Sequence, residues 1–157
     1  MTSEPGVAEP SPEVMFERFV HDVAPRLRRA LVAAYGSQRG REATAEALSW
    51  AWENWGRVRA MKYPHRYLLR VGRSRTRARR QRVVFDVNTA REPHVEPRLG
   101  PALARLSERQ RIAVVLVHGF GWTHREVAEL TGSRPTTVQN HLERGLRRLR
   151  TDLEARP

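Results

Sequence analysis

An all-α protein, built of two small helical domains joined by a flexible linker, is the fold class this sequence predicts. Three observations predict it. Apolar residues recur every three or four positions through most of the chain, with no convincing period-two strand pattern. Two capping boxes, Ser107 with Gln110 and Thr123 with Glu126, mark helix starts. Between residues 83 and 100 the periodicity stops, and Pro93, Pro97, Gly100 and acidic residues replace it.

The elements follow in order. Residues 1–12 hold Pro5, Gly6, Pro10 and Pro12 and read as a disordered tail. From Glu13 to Tyr35 the stripe is Met15, Phe19, Val23, Leu27, Ala30, Leu31 and Ala34, with Pro25 predicting a kink or two abutting helices. Gly36 and Gly40 bracket a turn. A second helix, Arg41 to Val58, carries Ala47, Leu48, Ala51, Trp52, Trp55 and Val58 on one side. Pro64 opens a third helix to about Arg82, with Tyr67, Leu68 and Val71 as its stripe. The first domain therefore spans 13–82, the linker 83–100 and the second domain 101–157. In the second domain Ser107 opens the helix carrying Ile112 to Val117, which Gly119 and Gly121 end. Thr123 opens a short helix closed by Gly132, and a last helix runs from near Arg134 to Leu153. There is no internal repeat.

Composition narrows the function. The 157 residues carry a net charge of +12 with 39% apolar and 29% charged residues. There is no cysteine, which excludes disulfides, thiolate metal sites and cysteine nucleophiles. No apolar run is longer than Ile112 to Val117, too short to cross a membrane. The first residues lack a basic start and an apolar stretch, so no secretory signal is expected. Lys62 is the only lysine; the remaining basic charge is arginine, whose planar fork matches phosphates and guanine edges. A cytoplasmic nucleic-acid binder is the first expectation.

Residues 124–143 give the sharpest local signal. A helix-turn-helix needs a small residue where its helices cross, a glycine at positive φ in the turn, and an apolar plug in the second helix. Ala128, Gly132 and Val138 supply these at spacings of four and six. The second helix then offers Arg134, Thr136, Thr137, Gln139, Asn140, His141 and Arg144 to a major groove, with Arg147 further along as a phosphate contact. A second constellation lies upstream. Between Arg57 and Arg82 there are eleven basic residues and no acidic one, with Tyr63 and Tyr67 interleaved and Trp50, Trp52 and Trp55 just before. Such a run suits single-stranded nucleic acid, although Trp52, Trp55 and Tyr67 fall on apolar stripes that suit a core.

Enzyme chemistry finds no support. His21, His65, His94, His118, His124 and His141 form no HxxH or HxxxH pair. No Gly-rich phosphate loop is present, and Glu42 and Glu46 make only an ordinary surface pair. No catalytic residue, cofactor or metal is expected.

In order and spacing, the two constellations resemble a bacterial sigma factor of the sigma-70 family, in its extracytoplasmic-function (ECF) group. The resemblance covers about residues 13–155. "LSERQR", "EVAELTG" and "TVQNHLERGLRRLR" resemble the −35 domain, region 4 of the family. "REATAEALSWAW" resembles the polymerase-docking helix of region 2, and "YPHRYLLRVGRSRTRARR" its −10 helix. Glu42 and Ala45 stand where the family usually has aspartate and glutamine, and Gln139, Asn140 and His141 where it has Lys-Ser-Arg.

The resemblance implies a protein that binds core RNA polymerase through the β′ clamp helices and the β flap, reads promoter DNA, duplex and single-stranded, and assists melting. It implies polymerase contacts at Glu42, Glu46, Ser49, Trp50, Glu53 and Asn54. It implies −10 contacts at Tyr63, His65, Arg66, Arg70, Arg73, Ser74 and Arg77. An anti-sigma protein is a further partner in many relatives, and no membrane contact is implied. Two other readings stand beside this one. The first is a helix-turn-helix repressor or activator whose first domain dimerises. The second is an adaptor that binds polymerase without DNA.

Overall fold

The structure is a computed structural model, and it describes residues 9–78, 84–85 and 96–155. Among the described residues there are helices and turns and no strand, as the periodicity predicts. Residues 1–8, 79–83, 86–95 and 156–157, with them the far end of the third helix and most of the linker, lie outside the described residues.

Helix α1 (Pro12–Tyr35) starts on Ser11, whose hydroxyl accepts the Val14 N–H at 3.4 Å. The end of the expected tail is thus a cap and a first turn. The helix then runs through Pro25 as one piece of 24 residues rather than two abutting helices. Pro25 brings no N–H for the His21 carbonyl, a loss the rest of the helix absorbs. Gly36, at φ 87°, makes the whole turn by itself, and α2 (Ser37–Glu53) begins on the next residue.

Gly40 is therefore not in a turn but inside α2, where α1 and α2 cross. A Cβ placed there would come within 2.4 Å of the Val32 Cα and 2.5 Å of its nitrogen. Spacing arguments miss this because the reason for the glycine lies on another helix. A short α3 (Trp55–Val58) and then α4 (Pro64–Ala78) complete the first half. Helix α4 buries Leu68 and Leu69, and its Gly72 meets the Leu31 side chain. Tyr67 and Val71, on the expected stripe, are only half-buried.

The second half begins two residues before Pro101, with α5 (Leu99–Arg105). Both capping boxes form as predicted: Ser107 and Gln110 open α6 (Glu108–Val114), and Thr123 and Glu126 open α7 (His124–Thr131). Between them α6 passes into a π-helical turn, Val115–Gly119. Gly132, at φ 70°, ends α7, and α8 (Pro135–Glu154) follows. Gly145 of α8 lies so close to α6 that a Cβ would meet Val114 Cγ2 at 2.8 Å.

The two halves pack together. α1 touches α6 and the π turn, and α4 touches α7, so the buried apolar residues form one continuous cluster. At the junction the Arg111 guanidinium, 6% exposed, donates to the carbonyls of Ala34, Ala104 and Leu106 at 2.9, 3.1 and 2.7 Å. These carbonyls lie at or just past the C-terminal ends of α1 and α5, where helical donors run out and the dipole is negative. Burial lowers the Arg111 pKa, and the Glu108 carboxylate opposes it.

Gly40→Ala tests the crossing of α1 and α2. Alanine is favoured by about 1 kcal/mol inside a helix, but here its methyl meets backbone, which cannot swing away. Separating the helices should cost about 3 kcal/mol, read as a fall in Tm of roughly 10 °C in a calorimetric melt.

Candidate nucleic-acid interface

Three short-range devices set the helix-turn-helix. Thr123 and Glu126 cap α7, Gly132 takes the left-handed turn, and Ala128 and Val138, each 3% exposed, close the crossing between α7 and α8. The Thr131 and Ser133 hydroxyls, 2.8 Å apart, brace the turn. Helix α8 starts with Arg134 as its N-cap and Pro135 at its first position, with no side-chain cap bond.

The expected reading face is largely presented to solvent. Arg134, Thr136, Gln139, Asn140, Arg144 and Arg147 are exposed. Gln139 donates to Glu143 at 3.0 Å, which orients its amide along the helix. Thr137 and His141 are half-buried and turn inward. They line a cavity of about 290 Å³ together with Arg73, Arg109, Thr131 and Ser133, over a floor of Ile112, Val127 and Val138.

On α4 the candidate −10 residues divide. Tyr63, Arg70 and Ser74 are exposed. The Arg66 guanidinium lies 4.3 Å from the Tyr63 ring centre, and Lys62 sits 5.3 Å from the same ring. Yet the Arg66 Nε donates to the Glu129 carbonyl of α7, and Arg73 pairs with the Glu108 carboxylate of α6. The side chain of Arg77 lies outside the described residues. Tyr35, beside the Arg73–Glu108 pair, has its hydroxyl pKa pushed up to about 12, by burial first and by Glu108 next.

The candidate polymerase contacts occupy two environments. Glu42, Ser49 and Glu53 are exposed on α2, whereas Glu46, Trp50 and Asn54 are half-buried. Helical spacing puts Trp50 and Asn54 off the packed stripe and Trp52 on it; the structure reverses this. The Trp50 ring lies 5.2 Å from that of Tyr67, and Asn54 Nδ2 donates to the Trp50 carbonyl at 2.9 Å. Trp52 is 45% exposed and touches Phe16, which joins Phe19 and Trp55 in an aromatic cluster. The reversal follows from α4, which covers the Trp50 side of α2, while only the first turns of α1 reach Trp52.

Among the described residues no three His, Asp or Glu side chains converge on a metal-sized site, and no helix is long and apolar enough to cross a membrane.

Residues 98–149 match the family described as sigma-70, region 4. That segment, about a third of the chain, is similar to region 4 of the sigma-70 family. The region 4 match covers α5 to most of α8, the helix-turn-helix and the buried Arg111 included. Over a longer span the fold of the chain is similar to that of the sigma factor RpoE from Bartonella quintana, solved in complex with the anti-sigma factor NepR. The two are 18% identical, with a TM-score of 0.56 over 91% of this chain and 99% of that one. No curated protein matches the sequence.

The interface carries a pH signature. Burial is the leading cause that lowers the pKa of both His65 and His141 from 6.5. Arg66 and Arg26 add to it at His65, where Glu129 opposes, and Arg109 and Arg144 add to it at His141. The native imidazoles hold a proton less tightly than the unfolded ones, so protonation favours unfolding. Their contribution should be complete above pH 6.5 and decline as pH falls through and below it. Urea midpoints measured from pH 7.5 to 5 should drop, and the double variant His65→Gln, His141→Gln should show a flatter profile over that range.

Proposed function

We propose that the chain is a sigma factor of the ECF type that binds core RNA polymerase and directs initiation from promoters with −35 and −10 elements. The carrying observation is the exposed cationic and amide face of α8, set by the Gly132 turn inside the segment that matches region 4. Gln139 and Asn140 near the start of α8 suit adenine edges in a major groove, and Arg134, Arg144 and Arg147 suit phosphates. Residues 101–157 thereby form the −35 unit and residues 13–82 the −10 and docking unit. Arg70, Ser74 and Tyr63 are the part of the −10 surface already open to solvent.

In this reading Glu42, Ser49 and Glu53 meet the β′ clamp helices directly, while Trp50 and Asn54 shape that face from behind. Region 4 meets the β flap. The protein supplies no chemistry of its own: bases leave the stack into a positively charged setting, at a cost of a few kcal/mol that binding must offset. It works in the cytoplasm, without cofactor or metal. The likeness to a sigma factor bound by an anti-sigma factor makes such a partner the first to seek here.

Run-off transcription with purified core polymerase and a genomic promoter library tests this. Addition of the chain should give promoter-specific transcripts. Tight binding to duplex operators without any association with core polymerase would instead favour the repressor or activator reading.

Substitutions separate the roles. Gln139→Ala or Asn140→Ala should change which −35 sequence is preferred, by about 1–3 kcal/mol of discrimination. Arg147→Ala should weaken all sequences alike and lower the salt dependence of binding. Arg70→Ala should leave −35 affinity intact and reduce permanganate-reactive thymines in the open complex. Loss of −35 affinity in Arg70→Ala with melting unchanged would reverse the assignment of the two halves.

A further inference from the structure

We propose that Glu143 is the positioning residue that fixes which edge of the Gln139 amide faces the base pair, so that α8 selects adenine against guanine. The inference rests on the −35 role proposed above for α8.

By charge, Glu143 is out of place. It is the single acidic residue between Pro135 and Arg150, a stretch that also carries Arg144, Arg147 and Arg148. It is exposed, four residues after Gln139 and four before Arg147. Helical spacing puts all three on one face. A carboxylate on a DNA-facing surface is repelled by phosphates and lowers affinity for every sequence. On an ordinary surface helix it would pair with Arg147. Here the carboxylate instead accepts the Gln139 amide at 3.0 Å, and among the described residues it forms no ion pair.

The sense of that hydrogen bond is forced. An ionised carboxylate only accepts, so Gln139 must turn Nε2 toward it and not Oε1. One N–H of the amide is then committed along the helix. The second N–H and Oε1 are left, side by side, to face a groove. Adenine offers N7 as acceptor and N6–H as donor, which matches that pair. Guanine offers N7 and O6, two acceptors, and sets O6 against Oε1. A free amide could turn both of its N–H groups toward guanine; the tied one cannot. In water the tie is weak, because both side chains are exposed. Seating in a groove removes the competing water and strengthens it. Glu143 thus acts through Gln139 and touches no base itself.

Selection from a randomised duplex library at fixed low salt tests this, with the full chain alone and with core polymerase. It finds the preferred −35 sequence and the position at which Gln139→Ala changes the preferred base. Anisotropy on matched duplexes then gives the ratio of adenine to guanine affinity at that position. Glu143→Gln keeps size and helix propensity, but the new amide can donate as well as accept, so the sense of the pair is lost. The ratio should fall about fivefold, while affinity for all duplexes rises. Glu154→Gln, an equal charge change at the exposed end of α8, should leave the ratio unchanged. On a Gln139→Ala background, Glu143→Gln should change the ratio no further.

A ratio unchanged in Glu143→Gln, with affinity raised alike on every duplex, makes Glu143 a bare charge and overturns the inference. A further change on the Gln139→Ala background means that Glu143 reads the base directly, which overturns it too. So does a preferred base other than adenine, or the absence of any position that depends on Gln139. In all of these the −35 role of α8 stands. If the chain selects no duplex sequence in either form, that role falls, and the inference with it.

Discussion

A single guanidinium, that of Arg111, ties together the ends of helices from both halves of the chain. Among the described residues its hydrogen-bond partners are three carbonyls. Hydrogen bonds to a charged donor contribute about 1.5–3 kcal/mol each, and helix C-termini add a favourable field for a cation. Together these offset the cost of burying the charge. Much else depends on it. The end of α1 is fixed beside α6, which sets Glu108 against Arg73 and Tyr35, and the end of α5 is fixed under α6, which places the helix-turn-helix. A methionine of similar length would fill the space and leave three carbonyls without a donor.

Around that polar centre, contact is made close by absence of side chains. Gly40 lets α1 and α2 touch backbone to backbone, Gly72 admits Leu31, and Gly145 seats α8 on α6. The α1/α2 crossing also buries Ala30, Ala33, Ala34, Ala43, Ala47 and Ala51, so these two helices approach closely, with Leu27, Leu31, Leu68 and Leu69 filling the space beside the crossing. The large aromatic rings of the first half are left at the edge, where Phe16, Phe19, Trp52 and Trp55 cluster around the start of α1.

The same chemistry that suits nucleic acid also suits this junction. Arg66 and Arg73 lie in a stretch without acidic residues, so intrahelical pairing cannot satisfy them. In the free chain they find partners at Glu129 and Glu108, on helices more than thirty residues away in sequence. A surface rich in unpaired guanidinium is attractive to phosphate and, for the same reason, to any carbonyl or carboxylate the fold can bring to it.

The sequence by itself determined what depends on neighbours three or four residues apart. The two capping boxes, the Gly132 turn, the Ala128–Val138 crossing and hence the exposure of Gln139, Asn140 and Arg144 on α8 were all legible, because hydrogen bonds and helical spacing within one segment decide them. The family resemblance in that segment was legible for the same reason. Tertiary structure alone decided the rest. It placed Trp50 inward and Trp52 outward, since which side of α2 is covered depends on where α4 lies. It turned Gly40 from a turn residue into a packing residue through α1. It took α1 through Pro25 unbroken. It also brought Arg111 to the Ala34 carbonyl, 77 residues away in the chain, and folded the two halves onto each other. Periodicity carries no information about such contacts, because they arise between surfaces that only the finished packing brings together.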